Sequence, residues 1–214
     1  MEAQLQPARV RSHGRRGERR AQCFGDLAAI YEPGVDVVVL ERRPSAELQD
    51  DVRRLAEEGV DLSLRLRATS SVEVAPALFG HEALVRDLSE LAALAMDLFE
   101  AREIGLRLRS LSAPMCPRFH VDRVVARMVC AYQGPGTQWV PDGSIDRARL
   151  GGASDDSALL APGTRPLVVP TFAVALLKGD AFPDHQGHGV VHRSPPADRA
   201  SVRRLFLSID FLEF

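Results

Sequence analysis

Two kinds of hydrophobic period divide the chain. Val60, Leu62, Leu64 and Leu66 alternate with Asp61, Ser63, Arg65 and Arg67, which is the period of a half-buried strand. The run Leu106-Arg107-Leu108-Arg109 alternates in the same way. Helical spacing appears twice. Leu48, Val52 and Leu55 follow Ser45, a good N-cap, and Gly59 ends that segment. The longest pattern runs from His81 to about Ile104, with Leu84, Leu88, Leu91, Ala95, Leu98 and Phe99 on one stripe and Gly105 beyond its end. Upstream, a short apolar helix from Cys23, a turn at Pro33-Gly34 and a valine-rich strand to Leu40 are expected. Downstream the pattern turns to strands: Val124 to Tyr132, Thr137 to Val140 after the turn Gly134-Pro135-Gly136, Leu167 to Leu177 before the turn Lys178-Gly179-Asp180, and a closing strand from Arg204 to Phe211. Within that last strand Leu205, Leu207, Ile209 and Phe211 share a face with Arg203, which leaves Arg204, Phe206 and Ser208 on the other. Residues 142 to 165 are polar and rich in Gly, Asp and Ser, and read as a long loop. Helices followed by many short strands predict an α+β chain, with a sandwich or barrel as its second part.

Length and composition narrow this picture. At 214 residues the chain fits a single domain over 22–214, with an α/β N-terminal part over 22–112 and a β core over 113–214. Residues 1–21 are polar and arginine-rich, with too few apolar side chains to offset ordering entropy, so a disordered tail is expected there. A formal net charge of -2 argues against general affinity for nucleic acid. Lys178 is the only lysine, and the arginine excess reads as genomic composition bias, not as a recognition surface. No apolar run reaches the roughly 18 residues that a membrane span requires, and no start resembles a secretory signal, so a cytoplasmic protein is expected. Cys23, Cys116 and Cys130 are odd in number and lack Cys-x-x-Cys spacing, which indicates neither a disulfide framework nor a zinc ribbon.

The chemistry-bearing stretch is Met115-Cys116-Pro117-Arg118-Phe119-His120-Val121-Asp122. On an extended strand His120 and Asp122 share a face, roughly 6.5 to 7 Å apart along the backbone, and both can reach one metal ion. The best candidate for a third ligand is His192 in Val190-Val191-His192-Arg193-Ser194-Pro195. Two histidines and a carboxylate on one side of an ion leave its remaining positions open, as in non-haem iron(II) oxygenases. Two other readings stay open. Cys116 with His120 and His192 would suit Zn(II) without redox chemistry; alternatively, the histidines are satisfied core residues of a cupin-like binding domain. Tyr132, Thr137 and Trp139 are candidates for a pocket wall, although aromatic residues in strands are usually core. His185 and His188 read as loop residues beside Gly187 and Gly189, and Asp180 as a turn residue.

On four stretches the chain resembles a bacterial family known as domain of unknown function 1826: Met115 to Arg123, Tyr132-Gln133-Gly134-Pro135-Gly136-Thr137-Gln138-Trp139, Leu176-Leu177-Lys178-Gly179-Asp180, and Val191-His192-Arg193-Ser194-Pro195. That family implies no activity. The order of segments also resembles the iron(II) and 2-oxoglutarate dioxygenases of the double-stranded β-helix (jelly-roll, cupin-like) fold. This second resemblance implies Fe(II) held by His120, Asp122 and His192, and 2-oxoglutarate held by Arg204 and Ser208 in Arg204-Leu205-Phe206-Leu207-Ser208, with a small-molecule or protein substrate. The chain departs from it at Phe206, where many of those enzymes carry a small polar residue.

Overall fold

A computed structural model describes residues 17–67, 72, 75–151, 158–196 and 203–213. Among the described residues ten strands and two α-helices carry the fold, with short 3-10 turns between them. A seven-stranded sheet has the order β1 (Glu18–Ala21), β2 (Val37–Leu40), β8 (Val174–Lys178), β5 (Ala126–Gln133), β10 (Arg204–Glu213), β4 (Glu103–Leu111), β3 (Asp61–Arg67). A second sheet has the order β7 (Leu167–Val168), β6 (Gln138–Val140), β9 (Val191–Arg193). The chain is thus mixed α+β with a sheet-rich core. The expected barrel is not closed, because the strands fall into two separate sheets. Strands from before and after residue 112 interleave in the larger one.

Alternation along the central strands gives that sheet two different faces. Leu106, Leu108, Met128, Cys130, Tyr132, Leu205, Leu207 and Ile209 face α1 (Ala46–Glu58) and α2 (Glu82–Phe99) and form the main core. Leu84, Leu88 and Leu91 of α2 are fully buried there, each contributing about 2 kcal/mol of transfer free energy. As the sequence predicts, Ser45 caps α1, its Oγ accepting from the Leu48 amide at 3.2 Å. The opposite sheet face packs Val37, Val39, Val129, Ala131, Ala175 and Phe206 against Trp139 of the smaller sheet. Beyond the smaller sheet, Phe119, Val140, Leu159 and Val191 form a third cluster under part of the 142–165 loop, whose ends are bridged at Ile145 and Leu160.

Three expectations change. Glu18–Ala21, placed in the tail by composition, form edge strand β1 parallel to β2; backbone pairing orders them, with Arg20 bound to Glu41 at 2.7 Å. The remainder of that tail, residues 1–16, lies outside the described residues. Helix α2 stops at Phe99 with Glu100 in the left-handed region, φ 49°, so Gly105 is not its cap. Gly105 lies inside β4, where an added Cβ would stand 3.3 Å from Leu212. The Leu167 to Leu177 region divides into β7 and β8, in different sheets, because Pro170 and Phe172, the latter at φ 65°, turn the chain between them.

Lys178-Gly179-Asp180 acts as a scaffold for the neighbouring segments. The Gly179 amide donates to Val125 O at 2.9 Å and the Asp180 amide to Asp122 O at 2.8 Å, while Lys178 O accepts from Val190 at 2.8 Å. A Cβ on residue 179 would fall 1.9 Å from Val124 O, so only glycine permits this approach. Asp180 Oδ1 also accepts from Gly187 at 2.9 Å and Gly189 at 3.3 Å. One turn thereby fixes the segments that carry Asp122 and His192.

Candidate metal centre

His120 and His192 are brought together by backbone pairing: each donates its amide to the other's carbonyl at 3.0 Å. Their rings lie 4.5 Å apart between centroids. Asp122, two residues along, presents Oδ1 at 3.8 Å from His120 Nε2 and Oδ2 at 3.1 Å from His192 Nε2. Among the described residues these three form the group able to hold an ion, with their donor atoms within 4.8 Å of one another.

The hydrogen-bonding direction argues that a cation belongs between them. His120 Nδ1 lies 2.9 Å from Arg118 O, and His192 Nδ1 lies 2.9 Å from Val190 O. A carbonyl oxygen can only accept, so each Nδ1 carries a proton and a neutral ring turns a bare Nε2 toward the carboxylate. Three acceptors therefore converge. Asp122 Oδ2 is shut off from solvent without a hydrogen bond of good geometry, although Arg127 Nη1 is 2.7 Å away. Two imidazoles and one carboxylate are a donor set for a divalent transition metal, and the residues fit that role. Burial raises the Asp122 carboxyl, but at the acid pH where it titrates the rings of the metal-free protein take up a second proton, and then a hydrogen bond from His192 and the charges of His192, Arg127 and His120 outweigh burial and hold the group below its usual range. Burial and the neighbouring His192 push His120 down.

Arg127 anchors the carboxylate from behind. Besides Asp122 it grips Asp210, Nε to Oδ1 at 2.6 Å and Nη2 to Oδ2 at 3.1 Å, and Arg107 Nη1 reaches the same Asp210 Oδ2 at 2.7 Å. Strand register makes this chain possible, because Asp210 pairs with Arg127 on one side and Ser208 with Arg107 on the other. Sequence reasoning missed Arg127 and Arg107. A charged residue inside the apolar run Val124 to Tyr132 was the available signal for the first, and the polar face of Leu106 to Arg109 for the second.

A cleft of about 340 Å³ opens over His120 and His192, with Thr137, Phe206, Ser208 and Cys116 in its wall. Phe206 and Ser208 face the cleft as strand parity predicts. Arg204 shares their side of the strand but stands behind the wall, its guanidinium 3.9 Å from the Phe206 ring and its Nη2 3.4 Å from Thr137 Oγ1. It is 6% exposed, Nε donates to Pro135 O at 2.8 Å, and Nη1 is buried with no partner. No ion pair to Arg204 occurs among the described residues. Burial lowers its pKa to about 10.

Other sequence candidates lie elsewhere. Tyr132 faces the helices and donates to Asp87, so it is not a pocket residue. Trp139 is the cross-strand partner of His192 but is buried in the core between the sheets. Cys116 lines the cleft but stands outside the three-residue group; its amide donates to Ser194 Oγ at 3.2 Å and its carbonyl accepts from the Ser194 amide at 2.8 Å. His185 and His188 turn to Asp36 at 3.5 Å and Asp142 at 3.3 Å.

This fold is shared with oxygenases of known structure. A putative oxygenase from Shewanella oneidensis superposes with TM-score 0.50 at 11% identity, covering 92% of this chain and 89% of its own. A full-length Neurospora crassa protein in complex with alpha-KG gives TM-score 0.53 at 11% identity over 89% of this chain and 78% of that protein. The 2-oxoglutarate complex of dioxygenase for auxin oxidation 1 from Arabidopsis thaliana gives 0.50 at 13% over 89% and 87%. At such identities the likeness is one of fold. By sequence the chain belongs to the family described as Protein of unknown function (DUF1826), which matches residues 21–210. No curated protein matches it in sequence.

Proposed function

We propose that this protein is an iron(II)- and 2-oxoglutarate-dependent oxygenase, its two facing sheets being a double-stranded β-helix. The convergence of His120 Nε2, Asp122 and His192 Nε2 on one point, each histidine locked by a carbonyl at Nδ1, carries this reading. Arg204 supports it independently. A buried guanidinium without a carboxylate partner among the described residues suits the far carboxylate of a dicarboxylic co-substrate, since a planar fork donates to two oxygens at once.

In this reading His120, Asp122 and His192 would hold Fe(II), and iron with 2-oxoglutarate and dioxygen would supply oxidation of a substrate, one oxygen atom passing to the substrate and the other to the succinate formed as the keto acid loses carbon dioxide. Arg127 Nη1, 2.7 Å from Asp122 Oδ2, would hold the carboxylate beside the two histidines. Arg204 receives the far carboxylate, with Thr137 and Ser208 as neighbouring hydroxyl groups. Val129 and Phe206 close the wall of the cleft against water. The zinc alternative needs Cys116 among the ligands, and its place outside the group gives that alternative no support. The test is succinate formation from 2-oxoglutarate by protein loaded with iron(II) without oxygen and then exposed to air. Turnover that disappears in His192→Ala supports the reading; its absence in the loaded parent protein refutes it.

A further inference from the structure

Among the described residues the cleft wall contains four arginines, Arg107, Arg109, Arg127 and Arg193, and no carboxylate side chain. Not all four are available to a ligand. Arg127 is committed to Asp122 and Asp210. Arg193 donates through Nε to Gln138 at 2.8 Å and lies over the Phe119 ring. Arg107 and Arg109 differ. They are two residues apart on β4, on one face, opposite Ser208 and Phe206 in register. Arg107 bonds Asp210 through Nη1, with its side chain 43% exposed. Arg109 pairs with Asp61, whose side chain is 76% exposed, and with Ser63 Oγ at 3.2 Å. An ion pair with so exposed a partner is weak and exchanges readily.

We infer that the substrate is an anion, bearing a carboxylate or phosphate that Arg107 and Arg109 grip at the mouth of the cleft. This rests on the oxygenase reading for the chemistry, but the anion site itself does not need the metal. The two guanidinium groups together supply paired donors for the oxygens of such a group, and this holds the remainder of the molecule toward His120. The site is separate from that of the co-substrate, whose anion belongs to Arg204.

The test is calorimetric titration of the full chain, loaded with manganese(II) and 2-oxoglutarate under argon, with phenyl phosphate, benzoate and benzyl alcohol. At least one of the two anions binds, the neutral alcohol does not, and the stronger arm identifies the anionic group. In Arg109→Gln and in Arg107→Gln/Arg109→Gln affinity falls at least tenfold, while Arg109→Lys retains most of it. Arg109 lies at an exposed ion pair, so the single variant reads binding even if the double variant folds poorly. Equal binding of benzyl alcohol, unchanged affinity in Arg109→Gln, or displacement of the anion by 2-oxoglutarate overturns the proposal. A protein that takes up no manganese yet still binds the anion through Arg109 contradicts the oxygenase reading alone.

Discussion

Replacing Arg204 with methionine separates a binding role from a structural one, because the two predict opposite changes in stability. Burial lowers this guanidinium to about pKa 10, so it stays charged at neutral pH. The lowering corresponds to about 3 kcal/mol of unfavourable burial, given about 1.4 kcal/mol per pKa unit. Methionine removes that cost and also the hydrogen bond to Pro135 O, the longer one to Thr137 Oγ1 and the contact with the Phe206 ring, together worth about 2 kcal/mol. The ligand-free variant is therefore expected to be about 1 kcal/mol more stable than the parent. Losing the charge-assisted hydrogen bonds to a carboxylate costs about 1.5–3 kcal/mol, so 2-oxoglutarate should bind roughly 10- to 150-fold more weakly. Chemical denaturation without ligand, combined with calorimetry of 2-oxoglutarate binding to manganese-loaded protein, reads both quantities. Arg203→Met is the control, since Arg203 is exposed and bonds Glu57 O at 3.2 Å, away from the cleft. A less stable Arg204→Met with unchanged affinity for 2-oxoglutarate would refute the argument and make Arg204 a brace for the Pro135 turn.

Leu88→Ala, at a fully buried position of α2, is expected to cost about 3–5 kcal/mol in denaturant unfolding while leaving metal affinity unchanged; a loss under about 1 kcal/mol would mean that α2 does not hold the large sheet. The depressed Asp122 carboxyl favours the fold of the metal-free protein above its unfolded value near pH 4, and this contribution is lost as pH falls through the lower folded value. Asp122→Asn should accordingly flatten the acid limb of the stability profile, and an unchanged limb would contradict the assignment of the shift.

Part of the candidate site was legible because it depends on local period. His120 and Asp122 share a face through the two-residue repeat, and the parity of β10 correctly put Phe206 and Ser208 on the cleft side. What stayed hidden depends on relations between strands. Tyr132 falls on the helix side with Met128 and Cys130, and nothing local tells which face of β5 meets the helices. The link from Asp122 through Arg127 and Asp210 to Arg107 needs the registers of β5, β10 and β4, which only the folded sheet fixes. Edge strand β1 escaped because backbone pairing, not an apolar pattern, orders Glu18–Ala21. The break between β7 and β8 was masked by a continuous apolar run across Pro170.

The most direct test is the metal content of protein purified without oxygen, measured in parallel for the parent chain and for Cys116→Ser, His120→Ala and Asp122→Ala. One iron per chain is expected in the parent and in Cys116→Ser, with most of it lost from the other two while their circular dichroism stays that of the folded protein. Zinc as the only ion recovered, lost on changing Cys116, or full occupancy in both His120→Ala and Asp122→Ala, would contradict the account.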